Sequence, residues 1–249
     1  SGDISVLLNS AGVLGAPAVY PIGVEPRGVA LADVDGDLLP DIVVGTSIGA
    51  VNACFLASHA HEPERQGEAL VEAWRSLRLE EVFHWSALRL AALPLYVFRQ
   101  LRSTRLRQLS WRISDFVWPE ALARLVTSRL DWARVLRNVR EGFLDALTVT
   151  ATDLGTGRAV VFVEGREQLP AWSRDPLVEV RAREIGPEHA LASGAIPLLF
   201  RPVRIEGSWF IDGSVGQNFP LAPAIRLGAD RILVVALRQE KRAERDPRI

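Results

Sequence analysis

The sequence predicts an α/β layered fold, a sheet covered by helices on both faces (α/β/α), and three observations predict it. An apolar β-branched run, Ile42 to Val44, stops at Gly45-x-Ser47-x-Gly49 and passes into a helical pattern rich in small residues, Ala50, Asn52, Ala53 and Ala57. From residue 54 to about 146 apolar side chains recur at helical spacing. Beyond that point the period falls to two, and short strands alternate with short helices as far as Leu237.

The composition sets outer limits. The chain has 249 residues, 48% hydrophobic and 24% charged, as in ordinary globular domains. A net charge of −1 gives no overall pull toward nucleic acid, so none is expected as a partner. One cysteine, Cys54, excludes a disulfide framework and reads as a small buried hydrophobe. No uninterrupted apolar run reaches the roughly 18 residues of a membrane span, and no basic-then-apolar leader opens the chain. The expected location is cytoplasmic or at a membrane surface.

Residues 1–44 differ in texture from the rest. Ile4 to Leu8 and Gly28 to Ala32 read as strands, with turns marked by Gly12, Gly15 and Pro17. Asp33, Asp35, Asp37 and Asp41 then follow at the alternating spacing of an oxygen-rich calcium loop, with Gly36 allowing a sharp turn. The same residues would also make a solvated acidic turn. Calcium at this loop is one expectation for the segment.

At residues 42–57 the order strand, turn, helix is the context in which G-x-S-x-G forms a nucleophile elbow. Gly45 and Gly49 relieve crowding so that Ser47 can stand exposed at the turn. A helix N-terminus there would offer N–H groups to a developing oxyanion.

Further along, Leu70, Val71, Trp74 and Leu77 are expected on one helix face, with Glu68, Glu72 and Arg75 outside. The stretch Trp85 to Trp111 mixes apolar residues with arginines, which suits helices covering a sheet with snorkelling arginines, or a membrane-surface helix. Ala121 to Phe143 reads as one or two amphipathic helices. Ala146 to Thr152 and Ala159 to Val163 form a hairpin across Asp153–Gly157. Leu177 to Val180 is a strand, Glu188 to Ser193 a short helix stopped by Gly194, and Val203 to Ile205 pairs with Trp209 to Ile211. Pro220 opens a helix that Gly228 ends, Arg231 to Leu237 is a core strand, and residues 238–249 form a charged tail.

A serine nucleophile needs a base. The histidines are His59, His61, His84 and His189. The hydrolase order serine, acid, histidine fails, because no histidine follows the best acid, Asp212. Asp212 itself ends the strand Trp209–Ile211 and precedes Gly213-Ser214. It could stand beside a serine on a neighbouring strand's turn, or merely cap its own turn; local sequence leaves both open.

Three blocks in this order, GTSIGAVNA, LTVTATDLGTGRAVVF and ALASGAIPLLFRPVRIEGSWFIDGSVGQNFPLAPAIRLGADRILVV, make residues 41–237 resemble a patatin-like phospholipase domain. The resemblance implies a Ser–Asp dyad, with Ser47 as nucleophile and Asp212 of the Asp-Gly-[Gly/Ala] motif as base. Gly45, Gly49 and Gly213 are its motif glycines, and the motif reads Asp-Gly-Ser here. It further implies hydrolysis of lipid acyl esters through an acyl-enzyme, with a lipid or acyl ester as partner and no metal or other cofactor required. Such domains begin with a Gly-Gly-Gly-x-x-Gly-type oxyanion loop, absent from this sequence; its nearest trace is Gly12-Val13-Leu14-Gly15, which makes Gly12 and Gly15 the oxyanion candidates.

Residues 5–44, SVLLNSAGVLGAPAVYPIGVEPRGVALADVDGDLLPDIVV, resemble one FG-GAP/VCBS repeat, the blade unit of a β-propeller. Two expectations follow: a lipid acyl hydrolase, or a catalytically impaired patatin-like domain serving as a calcium-binding or interaction module.

Overall fold

The computed structural model describes residues 3–10, 13–14, 18–21, 29–33, 42–76, 123–166, 175–197, 200–216, 221–229 and 231–236. Their strands are β1 (Asp3–Ser10), β2 (Val13–Leu14), β3 (Ala18–Pro21), β4 (Val29–Asp33), β5 (Ile42–Thr46), β6 (Ala146–Asp153), β7 (Ala159–Gly165), β8 (Val178–Ala182), β9 (Val203–Ile205), β10 (Ser208–Asp212) and β11 (Arg231–Ala236). They form one mixed sheet in the order β2-β1-β11-β4-β5-β6-β10-β9, with β3 on β1, β7 on β6 and β8 on β7.

The centre of the sheet is the parallel pair β5–β6, in register from Ile42 opposite Ala146 to Thr46 opposite Thr150. Both strands are buried end to end, as a central parallel pair covered on both faces should be. Alternate residues of these strands go to opposite layers. Val43, Leu147, Val149 and Ala151 pack under α1 (Ile48–Ser58), a π-helical turn at Leu125–Arg129, α3 (Trp132–Glu141) and α4 (Pro187–Ser193). Ile42, Val44 and Ala146 pack on the other face against Ala224 of α5 (Leu221–Arg226), Ala229 and Ile232. The expected three-layer α/β arrangement is therefore present.

Helix α1 is apolar on nearly every side because it is enclosed: Ala50, Ala53, Cys54 and Ala57 have no exposed surface. Helix α2 (Pro63–Arg75) lies against it with one face, through Ala69, Leu70, Ala73 and Trp74, and the Trp74 indole donates to Asn52 Oδ1 at 2.8 Å. Val71 departs from expectation: one position on from Leu70, it rotates off that face and is exposed. Leu77 lies outside the described residues. Helix α3 opens on an Asp131 cap that accepts the Arg134 N–H and closes at Gly142, whose φ of 82° suits glycine.

The strands of residues 1–44 call for a correction. β4 pairs with β5, and both β1 and β4 pair with β11, which comes from the far end of the chain. A propeller blade is a four-stranded unit whose successive strands pair with one another; here β11 separates β1 from β4. The FG-GAP/VCBS reading of residues 5–44 has no support, and these strands extend the same sheet as the elbow. The arginine-rich stretch Trp85 to Trp111 and the tail 238–249 lie outside the described residues.

Candidate active site

Ser47 sits between β5 and α1 with φ 58° and ψ −133°, a backbone state that costs a non-glycine residue about 1–3 kcal/mol. Small residues on either side make the turn feasible. A Cβ at Gly45 would stand 2.5 Å from both Ala50 Cα and the Gly49 carbonyl oxygen, and 2.7 Å from Ala53 Cβ, so only glycine lets α1 come back so close to β5.

The turn is also bolted from outside. The buried Ser193 hydroxyl, at the end of α4, accepts the Ser47 N–H at 2.9 Å and donates to the Thr150 carbonyl at 2.6 Å. Within the turn, the Ala50 N–H closes onto the Ser47 carbonyl at 3.0 Å.

Strand pairing explains how Asp212 arrives there. One edge of β6 is taken by β7 from Ala146 to Thr152. Its other edge carries β5 as far as Thr150, and then β10, with Asp212 opposite Ala151. β5 and β10 therefore run head-on along one edge of β6, and Ser47, the residue after β5, meets Asp212, the last residue of β10. The Ser47 hydroxyl donates to Asp212 Oδ2 at 2.5 Å.

The carboxylate is 1% exposed and fully partnered. Oδ1 accepts the Ser214 N–H at 2.8 Å and the Ser214 hydroxyl at 2.6 Å. The Asp212 backbone is held as well: its N–H donates to the Ala195 carbonyl at 2.9 Å, and its carbonyl accepts the Thr152 hydroxyl at 2.9 Å. Thr152 Oγ1 in turn accepts the Gly216 N–H at 3.1 Å. Gly213 lets the chain turn away directly over β6, where a side chain would meet the Thr150 carbonyl.

Among the described residues no histidine hydrogen-bonds to Ser47 or Asp212. His59, the residue after α1, stacks on Phe55, and His61 borders Asn138. His189 packs edge-on against Phe162, and its Nδ1 accepts the Gly186 N–H. Burial lowers its pKa, with nearby Glu188 opposing, so the ring is held neutral. His84 lies outside the described residues.

A serine hydroxyl aimed at a buried carboxylate, on a strained turn at the head of a helix, can deliver an activated oxygen to a carbonyl carbon. The family model described as Patatin-like phospholipase matches residues 10–225. The chain belongs to the patatin-like phospholipase family. Comparison with curated proteins finds no match. The family match begins within β1, in keeping with a sheet that continues through residues 1–44.

Of the residues singled out in this patatin-like chain, Ser47, Asp212, Gly45, Gly49 and Gly213 converge. Gly12 and Gly15 lie outside the described residues, on either side of β2. Of the proposed calcium loop, Asp33 is the last residue of β4, while Asp35, Asp37 and Asp41 lie outside. Among the described residues no cluster of three or more His, Cys, Asp or Glu could hold a metal, and no helix is long and apolar enough to cross a membrane. Sequence reasoning missed Ser193 and Thr152: each acts across the fold, and neither sits in a local motif. Ser214 was visible only as a departure within the aspartate motif.

A cavity of about 920 Å³ opens elsewhere, lined by residues that include Val139, Arg140, Val163, Glu164, Arg166 and Glu184. It lies beside the far end of β7, where Val163 to Gly165 pair with Thr148 to Ala146, away from the Ser47 end of β6.

Proposed function

We propose that this protein hydrolyses acyl esters of lipids through an acyl-enzyme on Ser47, with Asp212 as general base. The observation that carries the reading is the hydrogen bond from Ser47 Oγ to Asp212 Oδ2, 2.5 Å long, at a strained elbow in a patatin-like chain.

Asp212 Oδ2 accepts the Ser47 proton as Oγ attacks the ester carbonyl carbon. The tetrahedral oxyanion is met by the N–H of Ile48 and the positive end of α1, whose first N–H groups have no partner within the helix. Collapse expels the alcohol or lysolipid, which takes the proton from Asp212. Water then enters, gives its proton to Asp212 and attacks the acyl carbonyl; the fatty acid leaves and Ser47 regains its proton. The chemistry calls for neither metal nor histidine.

Two exposed apolar residues directly follow, in sequence, residues that hydrogen-bond Asp212. Ile196 follows Ala195, whose carbonyl holds the Asp212 N–H, and Val215 follows Ser214. They offer an acyl chain, or the surface of a lipid aggregate, an exposed apolar contact.

Turnover of a short-chain p-nitrophenyl ester and of phospholipid vesicles tests the reading, with fatty acid measured as product. Release by the wild type that disappears in Ser47→Ala supports it. A folded wild type that releases none contradicts it and leaves a non-catalytic module.

A further inference from the structure

Ser214 is exposed to solvent, yet its hydroxyl turns inward to Asp212 Oδ1 at 2.6 Å, while its own N–H reaches the same oxygen at 2.8 Å. Ser47 takes the other oxygen. An aspartate carboxyl rotates easily about its last bond, since that torsion is broad and two-fold. A single N–H bond is a pivot about which the plane can still swing. Two donors from one residue onto one oxygen close a ring and fix the plane.

We propose that Ser214 is a positioning residue for the reaction: its hydroxyl holds Oδ1 so that Oδ2 stays directed at whichever hydroxyl reacts. In the first half of the reaction that is Ser47. Once Ser47 is acylated, Oδ2 is released to an incoming water while the Ser214 bonds to Oδ1 persist, so both halves use one carboxylate orientation. The proposal rests on the acyl-hydrolase reading above.

The test compares kcat and KM of wild type, Ser214→Ala and Ser214→Thr on a short-chain p-nitrophenyl ester. In Ser214→Ala, kcat falls about tenfold, the scale of one hydrogen bond to a charged group. KM stays within about twofold, as expected for an interaction that acts on the reacting groups and not on substrate binding. Ser214→Thr, which keeps the hydroxyl, restores the rate. Melting curves verify that each variant is folded at the assay temperature, so that the change in rate is not a loss of folded enzyme. A Ser214→Ala enzyme with unchanged kcat, beside an active wild type, overturns this proposal and leaves the acyl-hydrolase reading intact. So does a Ser214→Thr enzyme as slow as Ser214→Ala. A wild type with no turnover overturns both.

Discussion

Gly213 lies directly on the backbone of Thr150: a Cβ built at residue 213 would stand 2.1 Å from the Thr150 carbonyl oxygen. That oxygen is also the acceptor of the Ser193 hydroxyl, so a single carbonyl of β6 sits beneath both arms of the site. Gly213→Ala must push β10 off β6 or break that bond. The expected result is a loss of about 1–3 kcal/mol of stability, as for other overpacked sites, measured by urea unfolding. Ester turnover falls by about 100-fold, because a displacement of about an ångström at Asp212 is enough for that.

Ser193 ties the elbow to β6, and its removal leaves the Ser47 N–H and the Thr150 carbonyl without their partner. Ser193→Ala should cost about 1–3 kcal/mol, the price of orphaned buried polar groups. It should also slow the reaction of Ser47 with an active-site phosphonylating reagent by between about 10- and 100-fold. A variant that unfolds at the wild-type urea concentration and reacts at the wild-type rate would show that the bolt is idle.

His189 makes stability depend on pH. Its folded pKa is lowered by burial, so the unfolded chain binds the proton more readily. The contribution is fully present above the ordinary histidine value of about 6.5 and is lost as pH falls from there toward the folded value. His189→Gln keeps an acceptor for the Gly186 N–H at the third helical position and removes the titration. Urea midpoints measured from about pH 8 to pH 5 should fall in wild type and stay flatter in His189→Gln.

Much of this architecture was legible in the sequence because its signals are local. The β-branched run at Ile42–Val44, the alternation through Ala146–Thr152 and the glycine stops at Gly194 and Gly228 each mark an element by the chemistry of a few neighbouring residues. The partnership of Ser47 with Asp212 was of another kind. The two are 165 positions apart, and only the shared edge of β6 brings them into contact; sequence spacing left Asp212 open between base and turn cap. Ser193 was invisible for the same reason, since its partners lie on α1's elbow and on β6. Residues 5–44 misled because short strands separated by glycine turns look alike in a blade and at the edge of a mixed sheet. Which strand they pair with is decided by β11, about 200 residues away. Val71 shows the finer limit: a helical face read to within one residue can still be off by about 100°.

The account stands on Ser47 being a nucleophile that Asp212 activates, and covalent trapping tests this most directly. Wild-type protein is treated with a fluorophosphonate, digested and mapped by mass spectrometry, beside Ser47→Ala and Asp212→Ala. The account predicts one adduct, on the peptide that carries Ser47, absent from Ser47→Ala and formed at least about 100-fold more slowly in Asp212→Ala. An adduct on another residue, or labelling of Ser47 at the wild-type rate without Asp212, would contradict it.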